Sequence, residues 1–498
     1  MTTNMDQDAL ACRDEAQALA HLRKESLDVY NRIHSISEDI DFVNSVHAAY
    51  PHLPVLPNLR CGAWYVDPRI ARQEPAYYKS TDGHFGNWSF NLRRPNLHLL
   101  SIVVAEGGLI LVDSTRSGKR IPDALSKTVP IWCAVINRAV QRRYPSREKD
   151  SWDTQLYCPP GAVSAQEVGQ ISTRLDSWVD SLLNSAYIIS DLLKPLRPLW
   201  LTPATSTFPQ LARGVVQDFY PILCVSASRQ PRDGMERRAG GYAYVQGSGD
   251  DHELWGMGLT PQLFWTHRDT LLAASRVQLP AHLASLVRPA SPSASLSPPA
   301  PTSPRARPDT WRMPPTSIAH VGARIALSAL GDLPSPLPSA LPSCPPLERA
   351  AYVLISPAAH TPDAPAYARE TAVLQISLAA GKKDQLYFLQ AVLPRAAAFA
   401  GAQLAQGARV CVCCESGGDA SVGVALAVLQ LFFDDMGSFV RDPAQQSVLR
   451  SSATKQSISK RLQWIISSRP QANPSRATLK RVNEYILTSP SFRRQRHA

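Results

Sequence analysis

The sequence predicts an α/β protein of two domains joined by a linker, and three observations carry that prediction. Apolar runs such as LILVD at 109–113, PILCVSAS at 221–228 and RVCVCC at 409–414 each end in a polar loop, the junction at which α/β sheets place ligands. From Leu22 to about Ala49, apolar residues recur at helical spacing, with Ile33, Ile36, Ile40, Val43 and Val46 on one side. Between Pro289 and Pro308, seven of twenty residues are proline among Ser and Ala, a composition that cannot bury enough surface to offset its ordering entropy. The expected organisation is a mixed α/β N-terminal domain at 20–287, a Pro/Ser-rich linker at 288–318 and a C-terminal α/β domain at 319–490. A chain of 498 residues is also too long for one ordinary core.

Composition narrows the class. The formal net charge of +11 draws polyanions by Coulomb steering and counterion release, without choosing among nucleic acid, acidic membrane and phosphorylated metabolite. Nine cysteines, odd in number and without a paired CxxC…CxxC spacing, point away from a disulfide framework or a zinc ribbon and toward a reducing compartment. The N-terminus, MTTNMDQDALACRDEAQ, is polar and acidic, and no stretch approaches the ~18 apolar residues of a membrane span. A soluble cytoplasmic chain with no membrane contact and no obligate protein partner is expected.

Within the N-terminal domain, LLSIVVA from Leu99, then EGG, then LILVD are expected to form two short strands joined by a tight glycine turn. The second strand ends in the polar loop from Asp113 to Asp123, which lacks the GxxxxGK[ST] of a Walker loop. Three blocks concentrate functional residue types: Lys79 to His84, Asp113 to Arg120, and Gly247 to Glu253. From Asn91 to Arg143, nine Lys/Arg stand against three Asp/Glu, an excess suited to an RNA backbone or to a solvated basic face.

In the C-terminal domain, strands are expected at Tyr352–Ser356 and Ala372–Ala379, and a helix from about Gln385 to Gly401. The strand RVCVCC then meets a helix through Cys414-Glu415-Ser416-Gly417-Gly418-Asp419-Ala420-Ser421. Strand end, glycines and helix N-terminus together make an anion site. The spacing of Cys414, Gly417 and Ser421 resembles the dual-specificity phosphatase loop, so this domain is expected to be dual-specificity-phosphatase-like. Two departures matter: Ala420 stands where the phosphate-clamping arginine would be, and Cys413 where a histidine would precede the cysteine. Asp384 lies at about the distance of a phosphatase general acid. In Asn473-Pro474-Ser475, Asn473 is expected to cap a final helix with Pro474 at its first position, and with Leu479, Val482 and Ile486 inward.

Longer words carry a more specific resemblance. KSTDGHFGNWSFNLRRPNLHLL (79–100), ILVDSTRSGKRIPDALSKTVPIWCAVINR (110–138), YVQGSGDDHELW (244–255), CESGGDASVGVALAVL (414–429) and NPSRATLKRVN (473–483) are similar to the initiator-tRNA ribosyl phosphate transferases. The resemblance spans about Leu22 to Leu487, apart from the linker. Gly418 departs from it, where a lysine is expected.

That resemblance implies transfer of ribosyl 5-phosphate from phosphoribosyl pyrophosphate to the 2′-hydroxyl of adenosine 64 of initiator methionine tRNA, which keeps that tRNA out of elongation. Displacement at an anomeric carbon needs a stabilised leaving group and a deprotonated hydroxyl, and Mg²⁺ bridging the pyrophosphate is the usual means. Asp113 or Asp82 is expected as base or ribose contact, with Arg116, Lys119 and Arg120 near the pyrophosphate. His84 and the cluster of Asp250, Asp251 and His252 are second candidates for base or metal contact, with Asp250 and Asp251 as the metal pair. Lys79, Ser114, Thr115 and Lys127 are expected as further substrate contacts. Cys414, Ser416, Gly417, Gly418, Asp419 and Ser421 are expected to bind a phosphate, of the donor or of the RNA. The tail Arg493-Arg494-Gln495-Arg496 would help steer tRNA. A dual-specificity-like phosphatase and a non-catalytic RNA-binding protein with a pseudophosphatase domain are the rival classes.

Overall fold

In the computed structural model, which describes residues 17–115, 118–211, 217–231, 235–287, 310–342, 349–357, 371–379 and 384–488, Asp28 accepts from the Asn31 N–H and opens helix α1 (Val29–Ala49). The apolar stripe of α1 is buried as expected, and it clusters with Val55, Ile110, Val112, Leu223 and Val225. Those residues belong to the strands β1 (Val55–Pro57), β2 (Leu109–Asp113) and β4 (Tyr220–Ser226); with β3 (Leu196–Leu201) they form an all-parallel sheet in the order β1-β2-β4-β3. Both faces of β2 and β4 are covered, so these strands read as continuous apolar runs rather than alternating ones. Because all four strands run in parallel, their C-terminal ends emerge on one edge.

The expected strand at Leu99–Ala105 is instead helix α2 (Leu99–Glu106). A seven-residue run with six apolar residues fits either period, and here Ser101 and Val104 turn outward while Leu99, Leu100, Ile102 and Val103 go in. Gly107 closes the helix in the left-handed region, at φ 80°. Downstream, a π-turn at Ala124–Thr128 leads into helix α3 (Val129–Arg143), which covers the edge strand β3. Its Asn137 side chain bonds both the Leu196 N–H and C=O, at 2.7 and 2.9 Å. Helix α4 (Leu175–Leu183) packs on α3 and answers its arginines with Asp176 and Asp180. A short antiparallel ribbon of β5 (Glu236–Arg237) and β6 (Ala243–Tyr244) also belongs to the unit.

The second unit is built on β7 (Thr316–Ser317), β8 (Ile325–Ala329), β9 (Ala350–Ser356), β10 (Ala372–Ser377) and β11 (Arg409–Cys414), ordered β10-β9-β11-β8-β7. All pairs are parallel except β7 with β8. Strand β7 corrects the expected linker end at 318, because Thr316–Ser317 already pairs with β8 and Ile318 is buried; residues 288–309 lie outside the described residues. The proline patch from Leu333 is irregular but packed, with Leu333, Leu337 and Leu341 in the core beside Tyr352 and Cys411.

Four of its helices are α5 (Leu393–Ala405), α6 (Ala420–Phe432), α7 (Lys455–Ser468) and α8 (Arg476–Leu487). The expected helix from Gln385 is present, with a π-turn at Phe388–Val392 before α5. Contacts with α5, α7, α8 and β11 cover α6, so its sequence is apolar all round. The C-terminal carbonyls of α6 are met by buried Arg461, which donates to Leu429 O and Phe433 O. One correction concerns α8: its N-cap is Ser475, which accepts from the Thr478 N–H, and not Asn473. Pro474 therefore precedes the cap. Val482 and Ile486 are buried as expected, while Leu479 is half-buried. Among the described residues no helix is long and apolar enough to cross a membrane.

Candidate active site and phosphatase-like loop

The C-terminal ends of the four parallel strands gather the polar residues of the first unit. Asp113 closes β2 and is fully buried. Its Oδ2 accepts from Asn58 Nδ2 at 2.8 Å and Arg60 Nε at 3.2 Å, and its Oδ1 from the Ser114 N–H at 2.8 Å and the Cys61 thiol at 3.0 Å. Burial and Asp113 push the Cys61 thiol well up, so it stays a protonated donor. A carboxylate enclosed this way anchors the loop, with its acceptor positions taken by these donors. Arg60 bridges Asp113 to Asp250, at 2.7 Å on the latter. Burial alone would lower Arg60, but Asp113 and Asp250 hold it above its ordinary value.

Beside this anchor, a cavity of about 220 Å³ opens between the loops that follow β2, β3 and β4. Its lining is Arg120, Thr202, Pro203, Ala204, Ser228, Arg229 and Gln230. Arg120 is exposed and its Nη2 reaches Thr202 Oγ1 at 3.4 Å. Arg229 pairs with Glu236 at 2.6 Å and lies over the Tyr244 ring. Two guanidiniums with hydroxyls and an amide in a concave site make an anion receptor. Under it, Ser228 Oγ contacts Ser114 Oγ at 2.6 Å and Asp39 Oδ2 at 2.5 Å.

A second cluster forms around Asp123. Lys119 Nζ lies 2.6 Å from it, Lys127 Nζ 3.2 Å and His84 Nε2 3.7 Å. Lys127 is buried and forked between Asp123 and Glu167, and Thr128 Oγ1 donates to Lys79 O. The 79–84 and 119–128 segments are thus one structure. Gly83 permits this, because a Cβ there would meet Asp123 O at 2.7 Å. Asp82 lies on the far side of its turn, held by Arg94 at 2.9 Å. His84 is half-exposed, so of the three residues expected as catalytic it has the most accessible side chain.

The expected metal pair fits poorly. Asp250 already holds a guanidinium, Asp251 turns through the left-handed region at φ 48°, and among the described residues no three His, Cys, Asp or Glu side chains converge on a metal. The basic excess at 91–143 is also reduced in three dimensions. Arg94, Lys127, Arg138 and Arg142 are answered by Asp82, Glu167, Asp176 and Asp180, all from outside that window. Arg116 and the tail at 493–496 lie outside the described residues.

In the second unit, β11 ends at Cys414, whose thiol lies 3.0 Å from Ser421 Oγ on α6. The loop between them is pinned from outside: the Gly418 carbonyl accepts from the Asn473 N–H at 3.0 Å, and Asp419 Oδ1 from the Ser475 N–H at 2.9 Å. Ser416 Oγ accepts from the Gly418 N–H. An arginine does reach this loop, but from elsewhere in the chain. Buried Arg469 donates through Nε to Gly417 O at 2.9 Å and through Nη1 to Thr316 Oγ1 at 2.8 Å. Bonded to the loop's carbonyl, it braces the backbone. Asp384 accepts from the Ala379 N–H. Gly417 has φ 63°, and a Cβ there would meet Arg469 Nη2 at 2.6 Å and the Ser328 backbone at 2.7 Å. Gly417→Ala is expected to cost about 1–3 kcal/mol in chemical denaturation, from strain and overpacking together.

A family model described as the Rit1 N-terminal domain matches residues 22–288, and one described as the Rit1 DUSP-like domain matches residues 372–486. The chain belongs to the Rit1 family. An uncharacterized protein of Schizosaccharomyces pombe is 33% identical over 489 residues, 96% of this chain and 98% of its own. The tRNA A64-2′-O-ribosylphosphate transferase of Saccharomyces cerevisiae is 41% identical over 275 residues, which span 51% of this chain and 53% of its own length. Among solved structures, human DUSP28 aligns at 17% identity with a TM-score of 0.21, over 36% of this chain and 97% of that one. In this Rit1 family member, sequence reasoning passed over Asp39, Asp123 and Arg469. Asp123 was the last residue of the recognised loop and could have been taken with it. Asp39 looked like a solvated position of an amphipathic helix, and Arg469 is 52 residues from the carbonyl it braces.

Proposed function

We propose that the protein is a tRNA-modifying pentosyltransferase that moves ribosyl 5-phosphate from phosphoribosyl pyrophosphate to the 2′-hydroxyl of adenosine 64 of initiator methionine tRNA. The observation that carries this reading is the 41% identity over 275 residues to the yeast transferase. The arginine-lined cavity supports it chemically. Arg120 and Arg229 suit the pyrophosphate of the donor, whose charge grows as its bond to the anomeric carbon breaks. The new bond forms from the ribose 2′-oxygen, and the hydroxyl proton goes to His84. Asp123 orients that imidazole and links it to Lys119, next to Arg120. Magnesium would enter bound to the donor's phosphates, since the carboxylates near the cavity are engaged elsewhere. The loop at Cys414 is the proposed contact for a phosphate of the RNA backbone. Double-stranded T-stem RNA offers phosphates and 2′-hydroxyls rather than base identity, which fits recognition by backbone geometry. The cytoplasm, where initiator tRNA is used, is the compartment this reading implies.

The test is mass mapping of nuclease fragments from initiator tRNA after incubation with the donor and magnesium. A ribosyl phosphate adduct on the fragment holding adenosine 64 is the expected result, and an unmodified digest from folded protein would remove the reading. His84→Ala is expected to lower kcat about a hundred-fold with little change in KM for either substrate, measured by steady-state transfer.

A further inference from the structure

Ser228 joins the wall of the arginine-lined cavity to the interior of the first unit. Its hydroxyl lies 2.5 Å from Asp39 Oδ2, 2.6 Å from Ser114 Oγ and 3.1 Å from the Gly247 nitrogen. A hydroxyl donates once and accepts twice. The Gly247 N–H takes one lone pair, so the protonation state of Asp39 decides where the single Ser228 proton goes. With Asp39 ionised, Ser228 must donate inward, and a negative charge stands one hydrogen bond behind an anion cavity. With Asp39 neutral, the acid donates to Ser228, which is then released to donate to Ser114 or to an anion in the cavity.

We propose that Asp39 works as a neutral acid, a positioning residue that turns Ser228 into a donor for the phosphate or pyrophosphate bound between Arg120 and Arg229. This rests on the cavity being the donor site. Enclosure without a cation favours the neutral form, because a buried unpaired carboxylate is costly. Against it, Tyr244 OH donates to Asp39 Oδ1 at 2.7 Å, while Tyr65 and Tyr242 approach from neighbouring elements. The adjacent Glu38 carries the nearby cation Arg238, and Arg229 turns its side chain to Glu236. Among the described residues no ion pair includes Asp39, which is almost completely buried. Burial pushes its pKa up to about 8, against the opposing bonds from Ser228, Tyr244 and the Arg229 backbone N–H, with Glu38 adding to the rise.

The experiment is calorimetric binding of inorganic pyrophosphate across neutral to alkaline pH, by the full-length protein and by Asp39→Asn. Asparagine still accepts from Tyr244 and donates to Ser228 at every pH. The wild type is expected to lose about ten-fold in affinity relative to Asp39→Asn as pH rises past 8. The ionisation of the ligand is common to both proteins and cancels in that ratio. A second readout is stability. An acid whose folded value is raised above its ordinary 3.8 stabilises the fold while protonated and loses that contribution as pH climbs to about 8. Wild-type stability should fall over that window, and Asp39→Asn should lack the slope. Superimposable binding profiles, or an Asp39→Asn protein that binds ten-fold more weakly at neutral pH, would overturn the proposal. Should Asp39→Asn not fold, Ser228→Ala replaces it, and binding of wild-type affinity by that variant at neutral pH overturns the proposal equally. If the folded wild type binds no pyrophosphate at any pH, the donor reading of the cavity fails first and this inference with it.

Discussion

Replacing Arg60 by methionine is expected to destabilise the first unit by about 3–5 kcal/mol, the usual cost of removing one partner from a buried ion pair. Arg60 lies between Asp113, which has no exposed surface, and Asp250. Without the guanidinium, the Asp113 carboxylate keeps its bonds from Asn58, Cys61 and Ser114 but loses its only ion-pair partner among the described residues. Methionine fills a similar volume, so the loss reports charge rather than cavity. Urea denaturation checks the figure, and a change under 1 kcal/mol would mean that Asp113 is sustained by its neutral donors. A companion change at Asp113 to asparagine should recover part of the loss in the Arg60→Met background, because the buried charge is then gone.

The second large effect is expected at the cavity. Changing Arg120 and Arg229 together to alanine should lower kcat/KM for the pentosyl donor by about 10²–10⁴, from two charge-assisted contacts of roughly 1.5–3 kcal/mol each. The loss should appear for the donor and not as weaker tRNA binding. Both side chains are substantially exposed and neither belongs to the core, so the double variant should fold normally. Equal loss in tRNA affinity would instead assign these arginines to the RNA.

How far these sites were legible in the sequence depended on whether their cause was local. The α1 stripe and the strands β2, β4, β9 and β11 were readable, because period and apolar runs are properties of neighbouring residues. The Leu99 run was misread because a short, mostly apolar run satisfies a helix or a strand, and Gly107 served as a helix cap rather than as part of a hairpin. The density of polar types at 79–84 and 113–120 drew attention to the loops that carry the Asp123 cluster and Arg120. It did not reveal that Asp113 is sealed under Arg60, since the partners arrive from Asn58, Arg60 and Cys61 on another strand end. The basic excess at 91–143 failed for the same reason, as its acids come from Asp82, Glu167, Asp176 and Asp180. Likewise, the absence of arginine at Ala420 was plain in the sequence, but the brace that Arg469 supplies to Gly417 was not.

The measurement that bears most directly on the central claim is transfer of label from radioactive phosphoribosyl pyrophosphate, with magnesium, to initiator tRNA beside elongator methionine tRNA. The wild type and Cys414→Ser should both label the initiator alone, because the donor is proposed to lie in the cavity of the first unit. The Arg120→Ala, Arg229→Ala protein should leave it nearly unlabelled at the same donor concentration. Absence of label from folded wild type would contradict the transferase reading, and loss of label in Cys414→Ser with retention in the arginine variant would move the donor site to the phosphatase-like loop.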